Sequence, residues 1–123
     1  MKILTYCIMV TGGVYGSQRS IHALQFSKAL LKRQHLIKSI FFYQEGVYNA
    51  YQITSLDHNH IDLFNNWKAL SKKYHIKLNV CISAAIRRGI IDKKKKDCYG
   101  NFIFSSLNTL IKDVLICDRF IQF

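Results

Sequence analysis

The stretch Leu78-Asn79-Val80-Cys81-Ile82-Ser83-Ala84-Ala85-Ile86-Arg87-Arg88-Gly89 brings a thiol, a hydroxyl and two guanidinium groups together. Lys77 to Ile82 runs apolar, as a strand covered on both faces does. Ser83, followed by Ala84 and Ala85, then opens a helical turn, with Ser83 the expected N-cap. Cys81 is therefore predicted at the carboxyl end of a strand, beside backbone N–H groups that no helical carbonyl has claimed. Such donors and the helix dipole favour the thiolate, which is the nucleophilic form. Arg87 and Arg88 add positive charge about one or two turns along. The chemistry on offer is single-thiol nucleophilic chemistry at Cys81, with Ser83, Ala84, Arg87 and Arg88 in support of an anion. By position alone, a cysteine in an apolar strand is more often a small core hydrophobe, because cysteine is among the most buried residue types.

The remaining reactive residues offer less. Cys7, Cys98 and Cys117 complete a set of four cysteines. None forms a C-x-x-C pair, so neither a thioredoxin-type motif nor a zinc knuckle is present. In a cytosolic protein all four are expected reduced. Cys7 and Cys117 are expected inside strands as core residues, and Cys98 in a surface segment without an activating neighbour. Asp57-His58-Asn59-His60-Ile61-Asp62 gathers two histidines and two carboxylates. Nothing elsewhere completes a ligand pattern, and Asn59 with Asp62 reads better as a helix start. No metal and no organic cofactor are expected. The glycine loop Gly12-Gly13-Val14-Tyr15-Gly16 lacks G-x-G-x-x-G and ends in no Gly-Lys-Ser/Thr, so its glycines serve the turn rather than a phosphate. Glu45 follows the second strand at the same sheet edge and is open to acid–base work, although a lone loop glutamate is usually solvated. Tyr48 and Asn49 line a pocket there or simply shape the turn.

The elements that must position Cys81 are legible around it. Lys2 to Val10 is strand-like, Gln18 to Gln34 a helix with Ser17 as its cap, and His35 to Tyr43 a second strand. Strand, helix and strand in this span make a βαβ unit. Leu63, Phe64, Trp67, Leu70 and Tyr74 recur at helical spacing and mark a buried stripe or a subunit face. After the Cys81 strand come Lys93-Lys94-Lys95-Lys96, which repel one another and belong in solvent. Ser105 to Asp113 reads as a last helix with Leu107, Leu110 and Ile111 inward, and Val114 to Ile121 as a closing strand.

The chain of 123 residues is half hydrophobic, which suits one globular domain over 1–123. No apolar run approaches membrane-spanning length, and Ile3 to Val10 reads as a first strand, not an export signal. A cytoplasmic location is the expectation. Eighteen basic residues against seven acidic ones give a net charge of +11. That balance permits an RNA or an acidic partner. It is better read as the mark of a lysine-rich, proline-free composition, because no aromatic–basic nucleic-acid module is present.

The whole chain resembles the DsrE-like sulfur-relay family. The resemblance is carried by Val10-Thr11-Gly12 with Tyr15-Gly16, and by Phe41-Phe42-Tyr43 with Glu45-Gly46-Val47-Tyr48-Asn49-Ala50. It continues through Leu78-Asn79-Val80-Cys81, Ala84-Ala85, Arg87-Arg88-Gly89 and the terminal Cys117-Asp118-Arg119 with Gln122-Phe123. It implies an α/β three-layer fold with a mostly parallel five-stranded sheet flanked by helices. It implies a cytosolic sulfurtransferase role in 2-thiolation of the tRNA wobble uridine, with Cys81 as the persulfide carrier. The partners it implies are TusB-like and TusC-like subunits in a heterohexamer with two copies of each, a TusA-like donor and a TusE-like acceptor. Two alternatives stand beside this: a non-catalytic assembly or scaffold subunit of such a complex, and a basic subunit that contacts tRNA directly, which ranks last. Between Asp92 and Ser105 the chain is several residues shorter than the family's pattern and carries the lysine run.

Overall fold

The computed structural model describes residues 2–51, 61–90 and 101–123. Five strands, β1 (Thr5–Val10), β2 (Leu36–Phe42), β3 (Lys77–Cys81), β4 (Phe102–Ser105) and β5 (Arg119–Gln122), form one sheet in the order β4-β3-β2-β1-β5. Every neighbouring pair is parallel, so the sheet is wholly rather than mostly parallel. The helices are α1 (Arg19–Lys32), α2 (Leu63–Tyr74), α3 (Ile82–Arg87) and α4 (Leu107–Ile116), with a 3-10 segment over Gln44–Ala50. Parallel neighbours cannot be joined by a hairpin, so each connection must cross the sheet.

The two faces of the sheet carry different cores. On one, Phe42 packs edge-on against Trp67 of α2, with ring centroids 5.3 Å apart, and against Phe102 of β4 at 5.6 Å. Phe64 stacks on Phe102 at 5.5 Å. Leu63, Phe64, Trp67 and Leu70 are buried, so the stripe read from their spacing is core. Asp62 caps α2 by accepting from the Asn65 backbone N–H at 3.1 Å. The expected cap at Asn59, like Asp57, His58 and His60, lies outside the described residues. The opposite face carries α4, tied down where Ser39 Oγ donates to Asp113 Oδ2 at 2.8 Å.

Three expectations are corrected at the chain's end. Val114, Leu115 and Ile116 continue α4 instead of opening a strand, and the strand begins only at Arg119. An aliphatic run reads as helix or strand alike, and tertiary packing chooses. Only Leu110 of the three expected inward residues is buried; Leu107 and Ile111 are 41% and 54% exposed. Cys117 closes α4 rather than lying in a strand, and it is disulfide-bonded to Cys7 of β1, with Cα atoms 6.3 Å apart. The expectation of two separate reduced thiols had no way to see this pairing, because 110 residues separate the two. Only the β1–β5 pairing brings the end of α4 next to β1.

A buried polar knot fixes the loops at the carboxyl edge of the sheet. Asn49 is fully buried. Its Oδ1 accepts from Trp67 Nε1 at 3.0 Å, and its Nδ2 donates to Gly46 O at 2.9 Å and Ser20 Oγ at 3.0 Å. Ser20 Oγ in turn donates to Gly12 O at 2.6 Å. One side chain thus links the loop after β1, the start of α1, the 3-10 segment and α2. Of the two roles open to Asn49, the turn-shaping one is realised. The expected cap Ser17 lies one residue outside the observed N-cap, Gln18, and its Oγ accepts from the Arg19 N–H at 3.1 Å.

Candidate functional site

Because all five strands run in parallel, the loops after β1, β2, β3 and β4 emerge at one edge, where sites in open α/β sheets form. Cys81 is the last residue of β3 and at the same time the N-cap of α3. Ser83 is therefore not the cap, as its residue type suggested, but lies in the first turn of the helix. The strand delivers the thiol directly to the helix start without an intervening loop residue. Cys81 has extended backbone geometry, at φ −63° and ψ 114°, as an N-cap requires. Cys81 makes no side-chain hydrogen bond to the helix start, where Ser83 and Ala84 hold the second and third helical N–H groups. Those groups have no partner within their own helix.

Cys81 forms part of a cleft of about 450 Å³. Ser83, Ala84, Arg87 and Arg88 line it from α3, Tyr43 and Gln44 from the end of β2, and Ser106 and Leu107 from the start of α4. All the sequence-predicted residues are thus brought together. Cys81 is 4% exposed and lines this opening. It is the free cysteine among the described residues. Cys98 and the lysine run 93–96 lie outside them.

The two arginines differ in their surroundings. Arg87 is exposed at the rim. Arg88 is held: its Nε donates to Glu45 Oε1 at 2.8 Å, Nη2 lies 2.6 Å from the same oxygen, and Nη1 donates to Ala84 O at 3.2 Å. Glu45, considered for acid–base work, instead clasps the 3-10 segment to α3. Its side chain is 57% exposed, so water screens the pair and its contribution is small. Glu45→Gln is expected to cost under about 1 kcal/mol. The loss should shrink further in high salt, and thermal melts at two ionic strengths would check it.

Sequence reasoning missed Ser105 and Asn79. Ser105 pairs with Cys81 in the β3–β4 register, and its Oγ donates to Asn79 Oδ1 at 3.2 Å. β4 itself went unread, so its register could not be anticipated. A second concavity of about 680 Å³ lies against the glycine loop and has Glu45 in its wall. Among the described residues, no group of three or more His, Cys, Asp or Glu could hold a metal ion.

Comparison with known proteins bears on this geometry. The sequence model of the DsrE/DsrF-like family matches residues 5–123. Sulfurtransferase TusD of Pectobacterium carotovorum is 43% identical, with 98% of this chain and 100% of that protein covered. The protein of the same name from Salmonella arizonae is 44% identical at the same coverage. That from Photorhabdus laumondii is 39% identical with both chains covered completely. Among solved structures, the ychN protein from E. coli superposes with a TM-score of 0.83 over 98% of this chain and 100% of that one. Its 16% identity makes this a likeness of fold.

Proposed function

Since this chain belongs to the DsrE/DsrF-like family, we propose that it is a sulfurtransferase in which Cys81 carries sulfane sulfur as a persulfide. The observation that supports this most is the placement of the free cysteine among the described residues. It stands at a strand-to-helix junction, at the base of a cleft that opens at the carboxyl edge. Full-length similarity to proteins named Sulfurtransferase TusD agrees with that chemistry.

In the proposed cycle a donor presents a persulfide, R–S–S–H. The Cys81 thiolate attacks the outer sulfur, the donor's S–S bond breaks, and the donor leaves as a thiolate. The new S–S bond is on Cys81, and the proton stays with the outer sulfur until it ionises. An acceptor thiolate then attacks that sulfur and releases the Cys81 thiolate. The sulfane sulfur keeps its oxidation state throughout, so neither oxidant nor reductant is consumed. Such exchange depends on access and on the balance of the two thiols rather than on a separate acid–base pair. Within the cleft, the Ser83 and Ala84 N–H groups and Arg87 supply positive potential for the persulfide anion. Arg88 supports the helix start through Ala84.

The low exposure of Cys81 requires a partner that reaches into the cleft with a narrow segment. A TusA-like donor and a TusE-like acceptor, feeding 2-thiolation of the tRNA wobble uridine in the cytoplasm, fit this relay. No helix among the described residues is long and apolar enough to cross a membrane. Assembly with TusB-like and TusC-like subunits is supported by α4. Leu107, Ile111 and Leu115 recur at helical spacing on it and are 41%, 54% and 78% exposed. An exposed apolar stripe of this kind marks a protein interface. It begins at Leu107, which also lines the cleft.

The test is intact-mass measurement after incubation with a persulfidated donor. The expected result is a gain of one sulfur atom, mapped by peptide analysis to Cys81. No gain in the presence of partner subunits would leave the assembly or scaffold role instead.

A further inference from the structure

The α4-facing side of β3 holds a group that the relay described above leaves unused. Asn79 is 2% exposed, and its Nδ2 has no hydrogen-bond partner among the described residues. An interior donor left unpaired is costly. Native proteins keep few such groups, and each calls for an explanation, a catalytic role among them.

The sheet fixes where this donor stands. Asn79 and Cys81 are two residues apart on β3 and so share a face. On β4, Ile103 is the partner of Asn79 and Ser105 the partner of Cys81. Yet Asn79 Oδ1 accepts its hydrogen bond from Ser105 Oγ, at 3.2 Å. The amide therefore leans along the strand from its own register position to that of Cys81, and Nδ2 travels with it. Ser105, whose single hydroxyl donor also has Ile103 O within reach at 3.4 Å, holds the oxygen prong and leaves the nitrogen prong free.

We infer that Asn79 is a sulfur-binding residue, whose Nδ2 donates a hydrogen bond to the sulfur carried on Cys81. The inference rests on the reading of Cys81 as the carrier. Persulfidation lengthens the Cys81 side chain by one S–S bond, about 2 Å. It also places an anionic acceptor where the resting chain offers an unpaired donor. A hydrogen bond to an ionised acceptor is about twice as strong as a neutral one. The amide makes and breaks no covalent bond; it favours the loaded state over the empty one.

The test is an exchange equilibrium. The full chain is incubated with glutathione persulfide and glutathione at fixed ratio, and the loaded fraction of Cys81 is read by intact mass. The outer sulfur passes from glutathione to Cys81, with one S–S bond broken and one formed. Asn79→Leu keeps the shape of the side chain and removes the donor. It is expected to shift the equilibrium against loaded Cys81 by about tenfold, with a melting temperature equal to or above that of the wild type. Ser105→Ala frees the amide to turn and is expected to shift the equilibrium the same way, by about threefold. A purely structural Asn79 predicts the opposite pattern, a lower melting temperature with wild-type loading, and that result overturns the inference. Should Asn79→Leu fail to fold, wild-type loading in Ser105→Ala overturns it equally. If the wild type itself takes up no sulfur, the carrier reading falls first and this inference falls with it.

Discussion

Cys81→Ser is expected to take up no sulfur from a persulfide donor that loads the wild-type chain to one sulfur per molecule. A serine hydroxyl is a weak nucleophile at neutral pH unless a base is positioned beside it. Among the described residues lining the cleft there is no histidine or carboxylate to play that part. The substitution is close to isosteric, and Cys81 neither pairs with another cysteine nor caps α3 through a side-chain hydrogen bond. The fold should therefore persist, with the melting temperature changed by only a few degrees. Cys7 and Cys117 are joined to each other and cannot substitute for it. Intact-mass measurement on the folded variant decides the matter. Uptake equal to that of the wild type would mean that sulfur enters elsewhere and that Cys81 is a core residue.

A larger effect on stability is expected from Gly46→Ala. Gly46 lies where the 3-10 segment turns against the end of β1, and Tyr43 N–H donates to Val10 O at 2.9 Å just before it. A Cβ on Gly46 would overlap the Val10 carbonyl oxygen and stand 2.8 Å from its carbon. Both obstacles are backbone of a central strand, so no side chain can swing aside. Relief would require Gly46 to withdraw from β1, which strains its carbonyl bond to Asn49 and, through Asn49, the contact with Trp67. The expected cost is about 3 kcal/mol or more, a fall in melting temperature on the order of 10 °C for a domain of this size. Chemical or thermal denaturation would measure it. A variant as stable as the wild type would show that the 3-10 segment is free to lift from β1. Since Tyr43 and Gln44 line the cleft at the start of this segment, and Glu45 holds Arg88, the variant should also load Cys81 more slowly.

The exposed stripe of α4 and the cleft proposed for sulfur transfer lie at one end of the molecule. The exposed stripe of α4 starts at the cleft and runs away from it, so a neighbouring subunit seated there would form an extra wall beside Cys81. The arrangement suits a carrier that receives and surrenders its cargo within a complex.

Much of this was legible from residue order alone. The strand–helix–strand start, the apolar stripe through Trp67 and the ending of β3 at Cys81 all follow from local pattern. Hydrophobic period and turn residues act over a few neighbours, and the chain displays those neighbours directly. The same local signal placed Ser83, Ala84, Arg87 and Arg88 near the thiol, because a short helix keeps them there whatever surrounds it. What the sequence could not decide were matters of pairing. The short strand β4 carries no period of its own, and it exists because β3 offers it an edge. Whether Val114 to Ile116 became helix or strand depended on the sheet that α4 covers. The identity of the N-cap turned on where β3 stops hydrogen bonding, and this moved the cap from Ser83 to Cys81 itself. The Cys7–Cys117 bond, the Glu45–Arg88 clasp and the leaning Asn79 amide each join residues, or register positions, that only strand order brings together. Local propensity chose the residues around Cys81; the parallel sheet chose which of them face one another.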